Sequence, residues 1–242
     1  MKSVDIVLVG YRSEMFLPRL RKDIESMTSM PRTVHYFDNF GNTRTLSALW
    51  NDLAAGGKGD YVVIMNPDIA LSPGWDERLA GALKDGVGIA TPDPFGSSPT
   101  AEPMPDRSRM EELARERAAD ARLTTAEVQF FIAMTSRATW ELLKGVDERM
   151  RFYMQDSDII RRAQESYNLS TVRVHACPVW HRGSASTAAA LERKELDQKL
   201  EYDTSFAVWR EVREGRWPVW HKLTDAERAA IRTHPKYGRM GQ

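Results

Sequence analysis

Residues 61–68 read YVVIMNPD, a continuous apolar run that ends in three turn-forming residues. Five apolar residues in succession are typical of a strand that is buried on both faces. In open α/β sheets, ligands bind beyond the carboxyl ends of the strands, so the carboxylate of Asp68 is placed to reach such a crevice. Hard divalent cations prefer carboxylate and phosphate oxygens, which makes Asp68 a candidate metal ligand. A plain strand-to-helix turn explains the same residues, because Asn, Pro and Asp all favour turns.

Short apolar runs alternate with helical patterns on both sides of this stretch. The patterns predict further strands at 4–9, 33–37, 88–91, 128–134 and 171–179, and helices at 16–27, 45–55, 73–84, 107–122, 139–143 and 159–166. Such alternation predicts an α/β fold with a mostly parallel central sheet and flanking helices. The proline-rich stretch 92–106 is predicted to be a long loop.

The pattern changes after residue 186. Apolar residues at helical spacing predict one long amphipathic helix over 187–215. Thr224 and Glu227 form a capping box, which predicts a last helix that ends near Thr233. We therefore divide the chain into a core domain, 1–186, and a C-terminal helical extension, 187–242. The extension could cover a cleft or pair two protomers into a homodimer, and the sequence leaves both possibilities open.

Composition narrows the classes of function. The chain has 34 basic and 34 acidic residues, and a formal net charge of zero argues against a protein that coats nucleic acid. The single cysteine, Cys177, cannot form an internal disulfide, so we expect a reducing compartment, the cytoplasm. The apolar run at 6–9 is too short for a signal sequence, and no run approaches the ~18 apolar residues of a membrane span.

Two further acidic clusters are candidates for a binding or catalytic site. Asp38 and Asn39 end the second predicted strand, where a carboxylate could accept a hydrogen bond from the imide nitrogen of a uracil-like base, although a turn explains them equally well. Asp156 and Asp158 precede a predicted helix. Asp158 suits the stabilising acid of a helix N-terminus. Asp156 suits a general base that takes a proton from a hydroxyl nucleophile.

His181 lies in the segment WHRGSAS, residues 180–186. A neutral imidazole is a good ligand for manganese-like cations. The guanidinium of Arg182 and the serines that follow it could contact phosphates. A single histidine is more often structural than a metal ligand, so His181 taken alone favours the structural interpretation.

Taken in order, these elements resemble the family-two glycosyltransferases, particularly the rhamnosyltransferase-like branch, over roughly residues 4–186. The elements that carry the resemblance are Val9-Gly10-Tyr11, Asp38-Asn39, Asn51, Asn66-Pro67-Asp68, Phe130-Phe131, Gly145-Val146-Asp147-Glu148, Asp156-Ser157-Asp158 and His181. The resemblance implies the GT-A fold of nucleotide-diphospho-sugar transferases. It also implies an inverting, metal-dependent enzyme that moves a sugar from a nucleotide diphosphate, with uridine or thymidine diphosphate (UDP or dTDP) as the expected nucleotide, to an acceptor hydroxyl.

The resemblance further implies a role for each candidate residue. Asp68 and His181 would bind the divalent cation, Mn²⁺ or Mg²⁺, and Asp156 would be the catalytic base. The residues expected to bind the nucleotide sugar are Gly10, Tyr11, Asp38, Asn39, Asn66 and Arg182, with Asp38 on the base. Phe130 and Phe131 would line the sugar and acceptor pocket. The acceptor stays open between a glycan, a protein side chain and a modified nucleobase.

Two positions depart from the family pattern. Asn66 stands where the metal motif usually begins with Asp, and Gln155 stands where the residue before the base is often Glu. These departures leave room for an alternative, a catalytically degenerate GT-A-fold protein that binds or scaffolds. A nucleotidyltransferase is a third hypothesis. It is disfavoured because residues 10–14, GYRSE, carry one Gly and one Arg where that class has a Gly-rich basic loop.

Overall fold

A computed structural model describes residues 1–11, 13–39, 44–96, 103–125, 130–183, 197–234 and 237. Its strands are β1 (Val4–Gly10), β2 (Arg32–Asp38), β3 (Tyr61–Met65), β4 (Ile69–Ala70), β5 (Val87–Phe95), β6 (Leu123–Thr125), β7 (Ile132–Ser136) and β8 (Ser170–His181). The helices in these ranges are α1 (Leu17–Met27), α2 (Leu46–Ala55), α3 (Trp75–Ala82), α4 (Arg107–Arg117), α5 (Arg137–Leu143), α6 (Gln155–Tyr167), α7 (Gln198–Arg213) and α8 (Asp225–Thr233). A short 3-10 turn, Trp220–Lys222, lies between α7 and α8.

All eight of these strands join one sheet in the order β2-β1-β3-β7-β5-β8-β4, with β6 paired to β8. β1 is parallel to β2 and β3, and β5 is parallel to β8. β7 is antiparallel to both its neighbours, and β4 and β6 are antiparallel to β8. The predicted α/β class is confirmed, but the sheet is mixed rather than mostly parallel. An apolar run indicates that a strand is buried on both faces. A central strand is buried in this way whether its neighbours are parallel or antiparallel, so the run does not predict strand direction.

Helices cover both faces of the sheet, as the continuous apolar strands predict. Successive strand residues point to opposite faces. Ile6 and Leu8 therefore pack in one buried cluster with residues of α1 and α3. Val7 and Val9 pack in a second cluster with residues of α2, α5 and α6.

Two predicted boundaries differ because the backbone turns at unexpected residues. Pro73 was expected at the first position of a helix, whereas α3 begins at Trp75 behind Gly74, which has a left-handed φ of 65°. The predicted loop 92–106 is shorter, because β5 continues to Phe95. β5 accommodates Pro92 at a register shift against β8 between Pro92 and Asp93. Prolines are tolerated in strands at such irregularities.

Other helices and strands begin about one turn away from the predicted residue, or have a predicted boundary among residues that the structure does not describe. The helix predicted from 159 begins at Gln155, so Asp156 and Asp158 both lie in its first turn. The strand predicted at 128–134 begins at Ile132, and 126–129 are outside the described residues. The described part of the long helix predicted over 187–215 is α7. The predicted domain boundary at 186 falls within 184–196, also outside the described residues, and it stays a prediction.

The C-terminal helices pack against the segment that leads into α6. Val208 and Val212 of α7 form a buried cluster with Met150. Nη2 of Arg151 lies 2.8 Å from Oε1 of Glu201, and both side chains are almost fully buried. Removing one partner of such a buried pair typically costs about 3–5 kcal/mol, so this contact ties α7 to the core. None of the described helices is long and apolar enough to cross a membrane.

Candidate active site

A cleft of about 300 Å³ opens where β1, β2 and β3 end and where β8 ends. The residues that line it are Val9, Tyr11, Asn39, Leu46, Trp50, Asn66, Pro67, Asp68, Phe130, Phe131, Phe152, Tyr153, Met154, Gln155, Asp156 and His181. The cleft therefore lies at the edge of the sheet where α/β proteins bind ligands. It brings together residues from both halves of the core.

Backbone pairing between β4 and β8 places Asp68 beside His181. Ile69, which follows Asp68, pairs with His181, and the backbone N–H of Arg182 donates to the carbonyl oxygen of Asp68 at 3.1 Å. The imidazole of His181 stacks on the ring of Phe131 with a centroid distance of 4.8 Å and an interplanar angle of 14°. Nε2 of His181 lies 3.6 Å from Oδ1 of Asp68. Both side chains are held in place and face the cleft.

The Asp68–His181 pair fits a divalent cation. Two ligands that are each ~2.1 Å from one cation can be at most ~4.2 Å apart, and the observed 3.6 Å lies within that limit. The carboxylate suits Mn²⁺ or Mg²⁺, whereas the imidazole favours a transition metal such as Mn²⁺ over Mg²⁺. Within the described ranges, no group of three or more His, Cys, Asp and Glu side chains could hold a metal ion.

Asp156, in the first turn of α6, is also part of the cleft lining. Its Oδ1 accepts a hydrogen bond from the backbone N–H of Ser157 at 2.8 Å. Burial raises the pKa of Asp156 above its ordinary value, while hydrogen bonds from the backbone of Ser157 and Phe130 oppose the rise. A carboxylate with a raised pKa accepts a proton more readily, and such groups cluster at functional sites.

The backbone just before Asp156 is strained. Met154 lines the cleft and has a φ of 68°, a left-handed conformation that bulky side chains rarely adopt. Its carbonyl oxygen accepts from the N–H of Asp158 at 2.9 Å, and the neighbouring N–H of Tyr153 donates to Oγ of Ser205 in α7 at 3.4 Å. Such strain typically costs about 1–3 kcal/mol and is retained where the surroundings enforce it.

The two residues that end β2 have different environments. Asp38 is exposed and is not part of the cleft lining. Asn39 is 5% exposed, and its Nδ2 donates to the carbonyl oxygen of Arg44 at 3.0 Å. Asn39 is part of the cleft lining, and its Oδ1 is buried without a hydrogen-bond partner among the described residues. A buried acceptor in this position calls for a donor, and a ligand N–H would supply one.

Some of the other residues predicted to bind the nucleotide sugar line the cleft, and others lie outside it. Tyr11 and Asn66 are in the cleft lining. Gly10 is not, but a Cβ there would lie 2.6 Å from the hydroxyl of Tyr36, so its role is close packing. Arg182 is exposed and its guanidinium lies 5.7 Å from the centroid of the Phe16 ring, away from the lining. Phe130 and Phe131 line the cleft as expected.

Several cleft residues were not singled out from the sequence as binding residues. They are Leu46 and Trp50 of α2, Phe152 and Tyr153, and Gln155. Gln155 is 4% exposed, and its Nε2 has no hydrogen-bond partner in the described part of the chain. The position of Gln155, next to the proposed base, is the only sequence signal that could have identified it as a binding residue.

Other motif residues have structural roles. Nδ2 of Asn51 donates to the carbonyl oxygen of Val146 at 2.9 Å, and the N–H of Val146 donates back to Oδ1 at 3.0 Å. Asp158 is fully buried and pairs with Nε of Arg162 at 2.6 Å. These contacts position the backbone around Met150 to Asp156 rather than contact a substrate.

Comparisons with known proteins identify the fold. No protein-family model matches the chain, and no curated protein matches it in sequence. A crystal structure of GalNAc-T7 with UDP, GalNAc and Mn²⁺ matches with a TM-score of 0.57 at 12% identity, over 75% of this chain and 44% of that one. Glucosyl-3-phosphoglycerate synthase from Mycobacterium tuberculosis, solved with Mn²⁺, UDP and phosphoglyceric acid, matches with a TM-score of 0.52 at 13% identity, over 79% and 75%.

A third match, the catalytic domain of Drosophila beta-1,4-galactosyltransferase 7, has a TM-score of 0.47 at 12% identity, over 72% of this chain and 65% of that one. The chain thus spans less than two thirds of the length of two of these three proteins. The two matches with the higher scores show that the chain has the GT-A fold.

Proposed function

We propose that this GT-A-fold chain is an inverting, metal-dependent glycosyltransferase that moves a sugar from a nucleotide diphosphate to an acceptor hydroxyl. One observation carries the proposal: a candidate metal pair, Asp68 and His181, and a half-buried carboxylate, Asp156, line the same cleft. The metal-bound nucleotides in the matched structures agree with this use of the fold. The chain supplies both groups that a single displacement needs, one for the leaving group and one for the nucleophile.

Asp68 and His181 would hold the cation against the diphosphate. The cation, when bound, supplies positive charge that stabilises the departing diphosphate. Phe131 stacks on His181 and restricts the orientation of its ring, and both residues line the cleft. Asn66 lines the cleft beside this pair, in the position of a polar contact to the donor rather than of a second acidic ligand.

Asp156 would act on the acceptor. As the acceptor oxygen bonds to the anomeric carbon, the bond from that carbon to the diphosphate oxygen breaks, and the carboxylate of Asp156 takes the hydroxyl proton. One displacement of this kind inverts the anomeric configuration. A positioned base contributes about 10²–10⁴-fold to such a step.

Asn39 is the residue we assign to the nucleotide base, in place of Asp38. Its free amide oxygen is buried in the cleft lining, whereas Asp38 is exposed outside it. An amide oxygen accepts a hydrogen bond from the imide N–H of uracil or thymine, which favours a UDP- or dTDP-sugar donor. The cytoplasm stays the predicted compartment, because the single cysteine cannot form an internal disulfide.

Calorimetric titration with UDP, with and without Mn²⁺, tests the proposal. Wild type is compared with Asp68→Ala and with Asp203→Ala, a control that removes an exposed aspartate on α7. Metal-dependent binding that Asp68→Ala abolishes and Asp203→Ala retains is the expected result. If UDP, dTDP and GDP all fail to bind with either Mn²⁺ or Mg²⁺, the transferase proposal is wrong and the degenerate binding or scaffold protein replaces it.

A further inference from the structure

Five aromatic side chains form a continuous row from the cleft to the surface of α7. The aromatic row consists of Phe152, Tyr153, Tyr202, Phe206 and Trp209. Successive ring centroids are 5.1, 5.7, 5.9 and 5.6 Å apart. The inner two rings line the cleft, and two of the outer rings are exposed.

The outer part of the row is not explained by packing of α7. This helix buries Val208, Val212, Ser205 and Glu201 against the core. Tyr202 and Phe206 lie on another face, where they are 43% and 37% exposed and their ring planes are within 7° of parallel. A patch of adjacent exposed aromatic rings is unusual on a monomer surface and commonly marks a binding site.

The inner end of the row meets the polar groups of the site. Phe152 and Tyr153 precede Gln155 and Asp156 on one cleft-lining segment. Nε2 of Gln155 is a buried donor without a partner in the described part of the chain, and the half-buried carboxylate of Asp156 is an acceptor in the same cleft lining. A molecule that lay along the rings would reach both groups at its end.

This combination matches the surface of a carbohydrate chain. A sugar ring has an apolar face of C–H groups, which packs on an aromatic face, and an edge of hydroxyls, which binds planar polar side chains. Tyr and Trp suit such a partner, because each has an apolar ring and a polar tip. Exposed charged residues, Lys199, Asp203 and Arg210, lie three or four positions along α7 from Tyr202 or Phe206, so they share that part of the helix surface. An apolar lipid tail would leave these charges poorly solvated, whereas a hydrated glycan would not.

We propose that the aromatic row is the acceptor subsite and that the acceptor is an oligosaccharide, whose terminal hydroxyl reaches Asp156. The assignment of an acceptor rests on the proposed transferase function, whereas sugar binding by the row does not. The row joins the C-terminal helices to the cleft. The rings of α7 would therefore extend the acceptor-binding surface outward from the proposed catalytic base, Asp156.

Binding to an array of immobilised glucan, mannan, xylan and chitin oligosaccharides, in the absence of donor, tests the proposal. The test variant is the double substitution Tyr202→Ala and Phe206→Ala. One control is Leu200→Ala, which removes an exposed apolar side chain of α7 outside the row. A second control, Tyr202→Phe with Phe206→Tyr, keeps both rings. Because the substituted side chains lie outside the buried clusters of the fold, all variants should remain folded, which circular dichroism checks.

We expect wild type to bind a subset of the oligosaccharides and the double alanine variant to bind them at least about tenfold more weakly. Leu200→Ala should bind as wild type does, the variant that keeps both rings should bind more tightly than the double alanine variant, and UDP binding should be equal in all four proteins. Oligosaccharide binding without UDP binding would leave the row as a sugar-binding surface and would overturn only the transferase.

Three results would overturn the carbohydrate assignment. The first is that wild type binds no oligosaccharide on the array, and the second is that the double alanine variant binds as tightly as wild type. The third is that light scattering shows a wild-type dimer that dissociates only in the double alanine variant. That third result would assign the row to a second copy of the chain.

Discussion

Nε2 of His181 lies 3.6 Å from Oδ1 of Asp68, although the two residues are far apart in the sequence. The short antiparallel pairing of β4 with β8 creates this proximity, because Ile69 is in register with His181. The proposed metal pair therefore depends on a backbone register that neither motif contains by itself.

Replacing His181 by Ala should weaken Mn²⁺-dependent UDP binding. The imidazole is one of two ligands that the chain offers, so its loss should reduce metal affinity by at least about tenfold. Calorimetry in the presence of Mn²⁺ measures the effect. His175→Ala is the matched control on the same strand, because His175 contacts Thr124 and Asp93 away from the cleft. Equal losses in the two variants would contradict a metal role for His181.

Replacing Asp156 by Asn should abolish sugar transfer while leaving UDP binding intact. The amide cannot take the hydroxyl proton, so we expect the transfer rate to fall about 10²–10⁴-fold. Radiolabelled donor consumed with and without acceptor measures the loss. Asp158→Asn should behave differently, since it breaks a buried pair with Arg162 and should lower the melting temperature. An Asp156→Asn enzyme with the wild-type rate would exclude Asp156 as the base.

The pH dependence of transfer should report the environment of Asp156. Burial raises the pKa of this carboxyl, so kcat/KM should fall with decreasing pH at values above the ordinary range of an aspartate. The same shift affects stability with a definite sign. The folded state holds the proton more tightly than the unfolded state, so this group's contribution favours folding at low pH. That contribution is lost as pH rises through the folded-state pKa.

A pH profile of kcat/KM, with a parallel series of denaturant titrations, measures both effects. The matched protein for the titrations is Asp156→Asn, which lacks the ionisation. A kcat/KM that stays flat down to the ordinary range of an aspartate would contradict the raised pKa.

Met154 provides a test of the strained turn before the base. Met154→Gly and Met154→Ala both remove the side-chain packing, but only glycine adopts a φ of 68° without strain. We therefore expect the glycine variant to unfold with a free energy about 1 kcal/mol higher than that of the alanine variant. Urea titration measures the difference. Equal free energies of unfolding would show that the left-handed turn stores no strain.

Local sequence patterns predicted most of the strands and helices. The alternation of apolar runs and amphipathic segments predicted the strands of the sheet and the helices on its two faces, because the spacing of apolar residues within a segment reflects which of them are buried. The capping box at Thr224 and Glu227 likewise formed as predicted, since both of its hydrogen bonds are local. The strand directions were not predictable in this way, because a buried strand has the same apolar pattern whether its neighbour is parallel or antiparallel.

The site was partly predictable for the same reason. Asp68, Asp156 and His181 follow strands or begin a helix, so their positions at the binding edge follow from the sequence. Which of Asp38 and Asn39 faces the cleft was not predictable, because it depends on the contact of Asn39 with Arg44. Gln155 and the rings of Phe152 and Tyr153 became cleft residues only through the turn at Met154.

The sequence by itself determined the α/β class, the buried strands and the residue types available for metal and proton chemistry, since these depend on composition and short-range spacing. Only the tertiary structure decided that Asp68 meets His181, that Asn39 rather than Asp38 faces the cleft, and that α7 adds its rings to the row that begins at Phe152. Each of these outcomes depends on strand register or helix docking between distant segments. The energy of such contacts comes from packing across the sheet, which no local pattern contains.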